Sequence, residues 1–119
     1  MKNIEIRPWG GFEVLYEDDT CKVKKIGVNP NSRLSYQYHN HRRECWTVTS
    51  GELTIILDDE KVFRSPGESI KIPLGAKHRA WNETDEPVTF IEVQTGDSFE
   101  ESDIVRLEDD YSRIDEDMQ

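Results

Sequence analysis

Cysteine is scarce in this chain: Cys21 and Cys45 are the whole complement, and they form no CxxC pair. Two thiols cannot build a disulfide framework, so a reducing cytoplasm is the expected setting. Alanine is just as rare, at Ala76 and Ala80 alone, and before residue 97 helix formers never group at helical spacing. No apolar run of about 18 residues exists, which argues against a membrane-spanning helix. The opening MKNIEIRPWG has no apolar stretch behind its lysine and does not read as a secretory signal. Apolar residues make up only 34% of the 119, low for a globular protein but above a disordered polyampholyte. The length suits one domain, taken as 1–119.

An excess of positive charge is missing too. The formal net charge is −10, and residues 97–119 hold ten acids against Arg106 and Arg113, leaving the body near neutrality. Neither nucleic acid nor an anionic membrane is an expected partner. Residues 115–119 read as a solvated, disordered end. Upstream, Phe99, Ile104, Val105 and Leu107 are apolar enough to pack a short segment against the body.

What the chain does have is short alternating runs closed by turn residues: 12–16, 22–28, 33–39, 44–49, 52–57, 61–64, 68–72, 77–82 and 88–94. Turns fall at Asn29-Pro30-Asn31, Ser65-Pro66-Gly67 and Pro73-Leu74-Gly75, among others. Eight or nine strands without helices predict an all-β sandwich or closed barrel.

Chemistry gathers at Gln37, His39, His41 and Glu44. In a strand, residues 37, 39 and 41 share a face, and Glu44 shares one with Trp46 and Val48 on the next strand. Two imidazoles, a carboxylate and an amide oxygen suit a divalent metal. A polar hairpin tip with solvated histidines reads the same residues equally well.

Residues 67–82, GESIKIPLGAKHRAWN, carry G-x5-P-x-G-x2-H-x3-N in full. This resembles the second motif of the cupin superfamily, and implies a double-stranded β-helix, or jelly-roll barrel. The first cupin motif fits in one register, with Asn31 in the leading glycine slot and Gly51 closing it. That register implies Gln37, His39, Glu44 and His78 as metal ligands and leaves His41 near the mouth. Arg7-Pro8-Trp9-Gly10, the segment 33–51, the stretch 91–96 and the run 103–111 are similar to the C-terminal cupin domain of type II phosphomannose isomerases. That domain is often fused to a mannose-1-phosphate guanylyltransferase, of which no glycine-rich nucleotide loop is seen here.

The resemblance implies a metal-dependent mannose-6-phosphate isomerase, interconverting mannose 6-phosphate and fructose 6-phosphate, with segment 97–119 closing over the barrel. Zinc is the expected ion, with manganese, cobalt, nickel or iron as alternatives. A Lewis acid would stabilise the enediolate formed between C1 and C2. Arg42, His41 and Arg106 are the candidate catalytic residues, His41 as proton shuttle. Arg42 is expected as an exposed loop charge of little weight in stability. Lys77 and Arg79, which flank His78, are candidate sugar-phosphate contacts. Two rival readings are a non-catalytic cupin module that binds metal and sugar phosphate, and a mononuclear iron oxygenase. Free strand edges favour a homodimer.

Overall fold

A computed structural model describes residues 4–111. Twelve strands form two six-stranded layers in which every pairing is antiparallel. The first sheet runs β1 (Ile4–Arg7), β2 (Gly10–Glu17), β3 (Cys21–Val28), β11 (Val88–Gly96), β6 (Arg42–Ser50), β9 (Ser69–Ile72). The second runs β12 (Val105–Glu108), β5 (Tyr36–Tyr38), β10 (His78–Asn82), β7 (Leu53–Leu57), β8 (Glu60–Arg64), with β4 (Ser32–Arg33) also on β10. This is the expected jelly roll.

The alternation in the sequence becomes the core. Ile26 and Val28 of β3, Trp46 and Val48 of β6, Ile70 and Ile72 of β9, and Val88 and Phe90 of β11 all turn inward and are buried. Asn31 adopts φ 54°, the left-handed conformation that its glycine slot requires. Gly10 has φ 149°, and a Cβ there would lie 2.1 Å from the Gly27 carbonyl oxygen. Only glycine lets β2 leave its turn so close to β3.

Two strands escape the sequence pattern, β1 and β12, and the expected run 33–39 breaks at Leu34, whose N–H bonds to the Ala80 carbonyl at 3.0 Å. The C-terminal segment crosses to the second sheet. A 3₁₀ turn at Glu101–Asp103 leads into β12, where Arg106 pairs with Gln37 and Val105 with Tyr38. The solvated end expected at 115–119 lies outside the described residues. Among the described residues no helix is long and apolar enough to cross a membrane.

Candidate metal centre and ligand pocket

Between the sheets lies a cavity of about 190 Å³ whose lining includes Gln37, His39, Glu44, His78, Arg42 and Arg106. β6 brings Glu44 from the first sheet, and β10 brings His78 from the second. His39 follows β5, just before the chain turns into β6. One ligating atom from each of His39, Glu44 and His78 lies within 4.8 Å of the others, and all three side chains are buried. His39 Nε2 is 3.2 Å from Glu44 Oε2, and His78 Nε2 is 3.7 Å from Glu44 Oε1.

The surroundings hold these groups in a ligating pose. His39 Nδ1 lies 3.3 Å from the Asp103 carbonyl oxygen, and His78 Nδ1 lies 2.9 Å from that of Ala76. A carbonyl oxygen only accepts, so each ring carries a proton on Nδ1 and turns Nε2 toward Glu44. Glu44 itself is fixed by Trp46 Nε1, which donates to Oε1 at 3.0 Å, and by Arg42 Nε, which donates to Oε2 at 3.1 Å. Three electron-rich atoms thus converge on one point, a donor set that fits a divalent cation. Gln37 stands opposite His78 on the neighbouring strand, and its Nε2 donates to Ser35 Oγ at 3.0 Å.

Charge in the cavity is divided between two buried carboxyls. Burial pushes Glu44 up, but a hydrogen bond and positive charge from His39 and His78 when they carry a proton toward it, together with the Arg42 guanidinium, outweigh burial and hold Glu44 well below the usual carboxylate range; a divalent cation between them would act in the same sense. Glu92 is pushed up to about 8, by burial first and by the Glu44 charge second. Burial lowers His78, against the pull of Glu44.

The remaining candidates separate. Arg42 is not the exposed loop charge expected from its turn: it is 3% exposed, donates to Glu44, and reaches the Glu100 carbonyl through Nη1 at 3.3 Å. Arg106 lines the cavity from β12. His41 is not brought to the cluster: β5 ends at Tyr38, the alternation lapses, and its ring is 57% exposed beside Asp97. Lys77 and Arg79 are absent from the cavity lining. On β10 the alternation that turns His78 inward turns Arg79 away, where it donates to the Leu34 carbonyl at 2.8 Å and to Glu108 Oε1 at 3.3 Å. Lys77 precedes the strand and lies 3.9 Å from Asp59.

Sequence reasoning passed over three groups. Lys24 and Glu92 both line the cavity as directly opposed residues on β3 and β11. Their signal was parity: Lys24 shares a face with Ile26 and Val28, and Glu92 with Val88 and Phe90, so each is a charge at an inward position. The third is Asp103, whose carboxylate accepts from the N–H groups of Asn40 at 3.0 Å and His41 at 2.9 Å. Nothing local in the sequence marks that long-range contact.

The model of the family described as "Mannose-6-phosphate isomerase C-terminal" matches residues 1–109. Mannose-1-phosphate guanylyltransferase ManC of Salmonella typhimurium is 41% identical over 108 residues, which are 91% of this chain and 22% of that protein. Xanthan biosynthesis protein XanB of Xanthomonas campestris is 42% identical over 107 residues, 90% of this chain and 23% of that protein. Among solved structures, the capsular polysaccharide assembling protein CapF of Staphylococcus aureus superposes with TM-score 0.77 at 23% identity, over 91% of this chain and 34% of that one.

These findings correct the expected activity. The chain spans less than a quarter of the length of these curated relatives, and those at about 41% identity are named as mannose-1-phosphate guanylyltransferases or as xanthan or alginate biosynthesis proteins rather than as isomerases. The resemblance therefore attaches to a domain that is a small part of proteins named for another reaction. A stand-alone mannose-6-phosphate isomerase does not follow from it.

Proposed function

From the premise that the chain belongs to the mannose-6-phosphate isomerase C-terminal family, we propose that it is a metal-binding cupin domain that holds a mannose phosphate in its cavity. The observation that carries this reading is the convergence of His39, Glu44 and His78 within 4.8 Å, in a cavity also lined by Arg7, Lys24, Arg42 and Arg106. Gln37 would complete the ligand set through its amide oxygen. Two imidazoles with one carboxylate suit zinc, the ion we assign. When bound, the ion supplies a Lewis acid that polarises a sugar oxygen. The chain's own residues orient it: Trp46 and Arg42 hold Glu44, and the carbonyls of Ala76 and Asp103 hold the two rings. The lining cations supply the charge that a phosphate monoester needs, in a chain whose net charge is −10.

The domain boundaries 1–119 and the closing role of segment 97–119 belong to this proposal. So does a homodimer, supported by the end strand β1 with Ile4 and Ile6 exposed at 55% and 77%. The test is titration calorimetry of the zinc-loaded protein with mannose 6-phosphate, mannose 1-phosphate and free mannose. Binding of a phosphate ester well above free mannose is expected. Equal or absent binding of all three would overturn the reading.

A further inference from the structure

The four cations that line the cavity are not equivalent. Arg42 spends its donors on Glu44, His39 and the Glu100 carbonyl, which makes it part of the frame. Arg7 is one-third exposed and pairs locally with Glu5. Arg106 is carried by β12 and paired with Gln37 through the backbone ladder. Lys24 differs from all of them. Its side chain is 6% exposed, its Nζ rests 4.2 Å from the Phe12 ring centroid, and its carboxylate partner is Glu101, at 3.2 Å.

Glu101 is an unusual partner for so buried a cation. Its own side chain is 48% exposed, and it sits in a three-residue 3₁₀ turn with no side-chain cap. Its carboxylate can turn into solvent without uncovering apolar surface, whereas Lys24 cannot leave without uncovering its apolar stem. A buried ammonium left alone is costly, so the pocket demands an anion at this point whichever group supplies it. Glu92, the cross-strand neighbour of Lys24, accepts instead from Gln94 Nε2.

We propose that Lys24 is the seat of the ligand's phosphate, and that the Glu101 carboxylate stands in that seat until the phosphate displaces it. The inference rests on the mannose-phosphate reading above and deepens it. β3 lies two strands from β6, with β11 between, so Lys24 is about 10 Å across the sheet from the strand that carries Glu44. A sugar lying between the two would present hydroxyls to the metal centre and its phosphate to Lys24, with Glu92 beneath the middle.

The experiment compares wild type, Lys24→Met, Lys24→Arg and Glu101→Gln, each loaded with zinc, binding mannose 6-phosphate, mannose 1-phosphate, inorganic phosphate and mannose. Zinc content by equilibrium dialysis and the far-UV spectrum are measured in parallel. Lys24→Met should keep its zinc and lose phosphate-ester affinity by about tenfold or more, as for one charge-assisted hydrogen bond. Lys24→Arg should retain most of it. Glu101→Gln should bind the esters a few-fold more tightly, since a partly exposed ion pair no longer competes. Inorganic phosphate that binds wild type but not Lys24→Met, with the ester no tighter, would place the anion seat correctly and remove the sugar from the reading. A wild type that binds neither ester nor phosphate overturns both. Wild-type binding matched by Lys24→Met overturns the seat alone. Should Lys24→Met fail to fold, unchanged ester affinity in Glu101→Gln overturns it instead.

Discussion

Arg42 and Glu44 form a buried ion pair, Nε to Oε2 at 3.1 Å, with side chains 3% and 2% exposed. Two residues apart on β6, they face the same way, and the arginine holds the carboxylate that the histidines approach. An ion pair so deep is worth little against apolar replacements, yet removing one partner strands the other. Arg42→Ala is therefore expected to destabilise the protein by about 3–5 kcal/mol and to weaken zinc binding by at least tenfold. Chemical denaturation and metal dialysis on the same variant check both. A variant of unchanged stability would return Arg42 to the loop surface.

The three histidines should behave as two classes. His39→Ala and His78→Ala are expected to empty the metal centre, because each removes an Nε2 that no neighbour replaces. His41→Ala should keep about one zinc per chain, since its exposed ring lies beside Asp97. Elemental analysis after desalting distinguishes the classes. Loss of metal in His41→Ala would show that the centre lies nearer the turn.

Glu92 gives a stability profile of definite sign. Its carboxyl titrates near 4.5 when unfolded and near 8 when folded. Between those values the folded state holds the extra proton, so stability declines as pH rises through the window and levels above it. Glu92→Gln should abolish that decline and raise Tm relative to wild type at pH 8 and above. Thermal melts of chelator-treated protein between pH 5 and 9 check the direction. Parallel wild-type and variant curves would mean that Glu92 is ionised in the fold.

Asp103 acts as a clasp on the His39 loop. Asp103→Ala leaves the N–H groups of Asn40 and His41 without their acceptor, at a cost of about 1–3 kcal/mol. His39 should lose its fixed orientation with it, and zinc affinity should fall by about tenfold. Denaturation midpoints and zinc titrations measure the two effects, and a stable variant with normal zinc affinity would show that the 3₁₀ turn holds without the clasp.

How far the sequence discloses this molecule depends on where each interaction is made. Strands β2, β3 and β6–β11 are visible because one face is buried, and alternation is the direct record of burial. Strand β1 escapes because its isoleucines point outward, and β12 because backbone pairing to β5 gives it order within an acid-rich run. The metal triad could be nominated by motif spacing, and the outward turn of Arg79 with it, while the position of His41 could not. The turn of Arg79 follows from β10 parity once His78 is placed inward, and the position of His41 depends on where β5 stops. Lys24, Glu92 and Asp103 are set by partners on other strands, and no local window contains both members of such a pair.

The triad draws on both layers of the sandwich, Glu44 from one sheet and His78 from the other. No disulfide joins the layers, since both cysteines are free. An ion at this point is a removable rivet between them. Parting the sheets would then first require breaking coordinate bonds, so occupancy should lengthen the lifetime of the native state more than it hastens its formation. The 3₁₀ turn at Glu101–Asp103 would meet the same rivet through the Asp103 carbonyl on His39, so resistance of that turn to proteolysis should track metal content.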